Sequence, residues 1–302
     1  MFGWIYRWSF RLLYGAGGIG TALFSLLVIF QRKMLYVPNV PGIEPGYYWY
    51  PDRFNLEYED LQLEAPDGTK LHAWLVWPKT LADPRERQRR PVVLFFQENA
   101  GNMSYRLPYV KELAFTCNCA VLMLSYRGYG ESLGSPSQAG FEADAQLVMD
   151  FVLERRDLSS SIVLFGRSLG GAVAIHLAAR NPGKVAAAII ENTFTSVGDM
   201  AGELMPFLRS VVGRGRPLNV AVWDKWENIR AIPRIRDVPT LMLSSGMDEM
   251  VPPAQMRELY SARGAELCTW HFFPEGRHLT LYESHRAEYW SVMKAFMAQL
   301  FS

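Results

Sequence analysis

The chain has 302 residues, 49% hydrophobic and 13% aromatic, with 31 basic residues set against 30 acidic ones. That suits one large domain with a sizeable core plus a short appendage, and a net charge of +1 leaves no electrostatic footprint for nucleic acid. Cys117, Cys119 and Cys268 cannot all pair and lack zinc-binding spacing, so neither a disulfide framework nor a metal site is expected.

Leu12 to Phe30 carry no charge across 19 positions, with Arg7 and Arg11 before them and Arg32 and Lys33 after. A helix of that length, at about 1.5 Å per residue, matches a ~30 Å hydrocarbon layer. A cleaved signal peptide would need a shorter apolar region and a small-residue cleavage site, and Gln31 to Tyr36 offer none. The expectation is a single-pass membrane anchor over residues 1–36, with the span at about 12–30. The equally basic flanks leave its orientation unread.

A Pro- and Tyr-rich connector follows to Pro51. Leu56 to Leu63 and Leu71 to Trp77 alternate apolar and polar residues about Ala65-Pro66-Asp67-Gly68-Thr69, which predicts an antiparallel hairpin. The basic cluster Arg85 to Arg90, broken by Glu86 and Gln88, reads as a solvated loop. Continuous apolar runs then recur at Val92 to Phe96, Ala120 to Leu124, Ile162 to Phe165, Val185 to Ile190 and Leu241 to Leu243. Such runs suit strands buried on both faces. Helical patterns at Tyr109 to Phe115, Ala139 to Arg155 and Leu169 to Arg180 separate them, and a last strand, Thr269 to Phe273, precedes a helix from about Ser284 to Phe301. The alternation predicts an α/β domain over 37–302, a mostly parallel central sheet flanked by helices. Residues 196–238 exceed what one helix needs. They read equally as a small helical cap over a site or as extra core-facing helices.

The chemistry concentrates at Gly166-Arg167-Ser168-Leu169-Gly170-Gly171, between an apolar run and a helical pattern. That setting is required by a nucleophile elbow, a turn so sharp that small residues must flank Ser168. A serine hydroxyl needs a base, and the base a carboxylate to orient it. Asp248 follows the run Leu241 to Leu243 across a turn, with Glu249 as competitor. Its position first off the turn and its shorter side chain favour Asp248. Of five histidines, His72, His271, His176 and His285 fall within or beside strand and helix patterns, whereas His278 lies in a turn after the last strand. Ser168, Asp248 and His278 follow the chain order of an α/β-hydrolase triad. The oxyanion donors expected are the backbone N–H of Leu169 and that of Asn99, in Gln97-Glu98-Asn99-Ala100-Gly101-Asn102. Asn102-Met103-Ser104 matches a glycosylation sequon, but its place in that loop argues against a glycan.

With these motifs placed, the chain resembles the bud-emergence type of α/β-hydrolase-domain proteins, nearest to its plant wavy-growth members. The resemblance rests on Val37-Pro38, Asp67-Gly68 with Leu71-His72-Ala73, Phe95 to Asn102, Ser125 to Gly130, Gly166 to Gly171, Glu191-Asn192-Thr193-Phe194 and Asp248 to Pro253. It implies an α/β-hydrolase fold and a membrane-associated serine hydrolase. Relatives in the wider group remove palmitate from protein cysteines, so an acyl ester or thioester, including that of a lipidated protein, is the implied substrate. One departure stands out: most relatives carry His-Gly where Gln97-Glu98 stands here. A carboxylate aimed at the oxyanion would oppose its charge; alternatively Glu98 points away or pairs with a cap arginine.

The expected function is ester or thioester hydrolysis through Ser168, His278 and Asp248, with no metal or organic cofactor. Two other readings remain: a non-catalytic membrane-bound regulator, for which Glu98 speaks, and a serine peptidase.

Overall fold

In the computed structural model, which describes residues 2–43 and 46–301 (the side chains of residues 2–17 and of Ile19 excepted), the apolar runs form the middle of one eight-stranded sheet. In chain order the elements are α1 (Phe2–Leu35), β1 (Leu56–Glu64), β2 (Lys70–Pro78), α2 (Pro84–Gln88), β3 (Val92–Phe96), α3 (Leu107–Cys117), β4 (Ala120–Leu124) and α4 (Gln138–Glu154). There follow β5 (Ile162–Arg167), α5 (Leu169–Arg180), β6 (Ala187–Glu191), α6 (Val197–Leu204), α7 (Asn228–Ala231) and β7 (Thr240–Ser245). The chain ends with α8 (Pro253–Arg263), β8 (Cys268–Phe273), α9 (Leu281–Ser284) and α10 (Arg286–Phe301).

The sheet order is β1-β2-β4-β3-β5-β6-β7-β8. β1 pairs antiparallel with β2, and β2 with β4; every later pairing is parallel. Successive strand residues point to opposite faces, so each run feeds two cores. Leu94, Leu122, Leu164 and Met242 join one core with α4, α5 and α8. Val93, Phe95, Val163, Phe165 and Leu243 join the other with α3 and α10. Both faces are covered, which is why the central strands read as unbroken apolar runs rather than as alternation.

Segment 196–238 divides its work. Trp226, Ile232 and Ile235 pack into the main core, while Val197, Met200 and Leu204 of α6 face a cavity beside Ser168.

The N-terminal segment is one helix of 34 residues, longer than the 12–30 span. Among the described residues no helix is long and apolar enough to cross a membrane. Residues 12–17 and Ile19 of the expected span lie outside the described side chains. The last turns of α1 are joined to the α/β domain rather than hung from it. The carbonyl of Leu35 accepts from Asn99 Nδ2 at 3.0 Å, and Arg32 pairs with Asp224 at 2.8 Å. Gln31 donates to the Ala221 carbonyl at 3.1 Å and accepts from the Trp223 N–H at 2.8 Å. Tyr36, 2% exposed, takes the Trp226 indole N–H at 3.1 Å.

Candidate active site

Ser168 sits between β5 and α5 at φ 55°, ψ −121°. Non-glycine residues rarely hold such a backbone unless surrounding structure forces it. Here the Ser168 N–H donates to the Glu191 carbonyl at 2.9 Å, and the Thr193 hydroxyl donates to the Ser168 carbonyl at 2.7 Å. The flanking glycines are required by contact: a Cβ on Gly166 would meet the Gly170 carbonyl, and one on Gly170 the Phe96 carbonyl. Gly170→Ala must therefore move β3 away from the elbow. We expect it to cost about 3 kcal/mol of stability, at the upper end of overpacking effects, read by chemical denaturation.

Asp248 and His278 leave the neighbouring strands β7 and β8 at the same edge of the sheet. Asp248 Oδ1 accepts the N–H groups of Met250 and Val251 at 2.9 and 2.7 Å, which leaves Oδ2 for His278 Nδ1 at 2.7 Å. Both side chains are almost fully buried. Glu249 does not reach the imidazole ring; its carboxylate accepts the His278 backbone N–H at 3.3 Å. His278 Nε2 is buried and bonds to no group among the described residues. A buried ring nitrogen left unbonded is the one atom of this pair still available for a proton.

The other four histidines all hold carboxylates or hydroxyls. His72 bonds to Tyr47 and Asp60, His176 to Glu142, His271 to Glu288 and His285 to Ser284.

Ser168, Leu169 and Asn99 line one cavity of about 300 Å³. Leu169 is the first residue of α5, so its N–H has no acceptor within the helix. Asn99 is held from several sides: its carbonyl accepts the Val37 N–H at 3.0 Å and the Tyr129 hydroxyl at 2.8 Å. Asn102 spends its amide internally, on the Gly46 carbonyl and on Ser104, and is 4% exposed, which leaves no room for a glycan.

Glu98 does not line this cavity, and among the described residues it pairs with Arg167 and Arg106 rather than with a cap arginine. It lies in a buried cluster, 3.0 Å from Arg167 and 2.6 Å from Arg106. Burial alone would raise its pKa; the two guanidinium groups outweigh that and hold it at about 2. Arg167 in turn grips Glu191 at 2.7 and 3.3 Å and stacks 4.6 Å over the Tyr109 ring. Tyr289 donates to Glu191 at 2.6 Å and meets the Tyr109 hydroxyl at 2.7 Å. The residue that looked hostile to an oxyanion is thus neutralised by the residue just before Ser168. Neither this cluster nor the part that α1 takes in the cavity is visible in the sequence alone.

A family described as serine aminopeptidase, S33, matches residues 98–221. The chain is 46% identical over 296 residues to the α/β-hydrolase domain-containing protein WAV2 of Arabidopsis thaliana, covering 95% of this chain and 93% of that one. It is 36% identical to protein bem46 of Schizosaccharomyces pombe, covering 87% and 86%. Among solved structures, an esterase of Pyrococcus furiosus superposes with a TM-score of 0.68 at 15% identity over 89% of this chain and 98% of that one, a likeness of fold. The chain belongs to the family of α/β-hydrolase domain-containing proteins that includes WAV2 and bem46.

Proposed function

We propose that the protein is a serine hydrolase that cleaves acyl esters or thioesters, held at a membrane by its N-terminal helix. The observation that carries this reading is the buried pair of Asp248 and His278, its ring Nε2 unbonded, at the same sheet edge as the strained Ser168. Ser168 Oγ attacks the carbonyl carbon and its proton passes to His278 Nε2. Asp248 fixes the ring with Nδ1 protonated and stabilises the imidazolium. The N–H groups of Leu169 and Asn99 take the oxyanion. The C–O or C–S bond then breaks, and His278 returns the proton to the leaving alcohol or thiol. Water, deprotonated by the same imidazole, releases the acid and restores Ser168.

The cavity supports an acyl chain as the occupant. Its walls are almost wholly apolar. Their polar side chains are engaged: Gln31 with Val28, Ala221 and Trp223, Asn99 with Leu35, and Glu249 with His278. A peptide chain would leave its own amides unpaired there, at about 1–3 kcal/mol each, which disfavours the peptidase reading. Glu98 gave the non-catalytic reading its force, and its charge is compensated. A lipidated protein is one carrier of such an acyl group. Leu23, Leu26, Ile29 and Phe30 on the outer face of α1 are exposed, and burial in lipid would remove that apolar surface from water.

A fluorophosphonate probe tests the reading. It should label the full-length protein at Ser168 and leave Ser168→Ala unlabelled. Equal labelling of both, or none of the unsubstituted protein, would refute it.

A further inference from the structure

Two helices, each presenting one face, form part of the wall of the cavity beside Ser168, and residues of the stretches 205–222 and 249–251 close the rest. From α1 come Phe24, Leu27, Val28, Gln31 and Leu35, which recur at helical spacing and are half-buried while their neighbours are exposed. From α6 come Val197, Met200, Ala201 and Leu204, again one face. The near end of the α1 wall is fixed to the chemistry: Asn99, the expected oxyanion residue, donates its side-chain amide to the carbonyl of Leu35. Position along α1 therefore measures distance from the reacting carbonyl. At about 1.5 Å per residue, Val28 stands roughly 10 Å and Phe24 roughly 16 Å up the helix from Leu35.

We propose that the C-terminal half of α1 is a ruler for the acyl chain, with Val28, Leu27 and Phe24 setting in turn how long a chain the enzyme accepts. The proposal rests on the serine-hydrolase reading and goes beyond it: the helix expected only to anchor the protein also selects its substrate. The acyl chain runs from Ser168 between α1 and α6, and its methyl end lies toward Phe24. One helix then meets substrate on one face and, through Leu23, Leu26 and Ile29, lipid on the other.

The test uses the full-length chain in detergent micelles and p-nitrophenyl esters of increasing saturated acyl length. For the unsubstituted protein kcat/KM should rise about fourfold per methylene until the cavity is filled, then level. In Val28→Trp the rise should end at the shortest chain; in Phe24→Trp it should end later, though still before the unsubstituted protein. Phe24→Ala should prolong it. Ile29→Trp, on the exposed face of the same helix, should keep the original profile. Fluorophosphonate labelling of each variant shows that its site is folded. Labelled variants with unchanged profiles, with cut-offs in another order, or with Ile29→Trp shifting as much as Val28→Trp would overturn the ruler and leave the hydrolase standing. Failure of the unsubstituted protein to label or turn over would overturn both.

Discussion

Ser168→Ala, His278→Ala and the double variant are expected to share one kcat toward an acyl ester, about 10⁶-fold below that of the unsubstituted chain. The equality matters more than the size. A hydroxyl without a base and a base without a hydroxyl are equally idle, so the second substitution has nothing left to remove. On the proposed mechanism, what survives is whatever the N–H groups of Leu169 and Asn99 and the apolar cavity supply by binding. Asp248→Asn should fall less, about 10⁴-fold, because the imidazole persists but its tautomer is no longer dictated. Glu249→Gln is the discriminating control. Its carboxylate meets the backbone N–H of His278 rather than the ring, so kcat should stay within about tenfold of the original on the general-base argument. Steady-state turnover of a p-nitrophenyl ester reads all five. Single variants whose losses multiply in the double, or a Glu249→Gln loss as deep as that of Asp248→Asn, would show that these side chains do not act as one relay.

The sequence spoke most clearly where a single local constraint has a visible signature. Strands buried on both faces must be apolar throughout, so Val92 to Phe96 and Ile162 to Phe165 announced themselves, and the structure moves their ends by two residues or fewer. Gly166 and Gly170 flank Ser168 because backbone passes within contact of both, a need that only glycine meets. The meeting of Asp248 with His278 was legible because each follows an apolar run across a short turn, and strand ends of a parallel sheet share one edge. Two features were not legible in this way. An apolar helix reads the same whether lipid or protein covers it, so nothing in Leu12 to Phe30 distinguishes the face that lines the cavity. The one sign was Gln31, a polar residue at the helical spacing of Phe24, Leu27 and Val28, whose amide closes onto Ala221 and Trp223. One of the two partners of Glu98 lies 69 positions away in Arg167. Aligning the two runs shows why: Phe96 stands opposite Gly166, so Glu98 and Arg167 leave adjacent strands together. Charges that look misplaced in isolation are worth testing against the register of neighbouring strands.

That register carries the second large effect. Arg167→Met should lower stability by about 3–5 kcal/mol, since it leaves Glu98 and Glu191, both almost fully buried, facing each other with Arg106 as the remaining cation. Four charges, two of each sign, balance in the original cluster; three do not. Glu98→Gln should cost less, because it removes charge while keeping shape and a hydrogen-bonding group, and Arg167 keeps Glu191. Acid reports on Glu98 as well. The folded protein holds Glu98 at about 2, below the ~4.3 of an unfolded chain, so its share of stability is present above pH 4.3 and is lost as pH falls toward 2. Glu98→Gln should therefore flatten the stability profile between those limits, whereas above pH 5 its profile should run parallel to the original. Denaturant melts from pH 2 to pH 7 measure both. If Arg167→Met proves as stable as the original, with the same acid profile, the cluster is not what holds the end of β5 against the loop of Asn99. The burial of Glu98 would then need another cause.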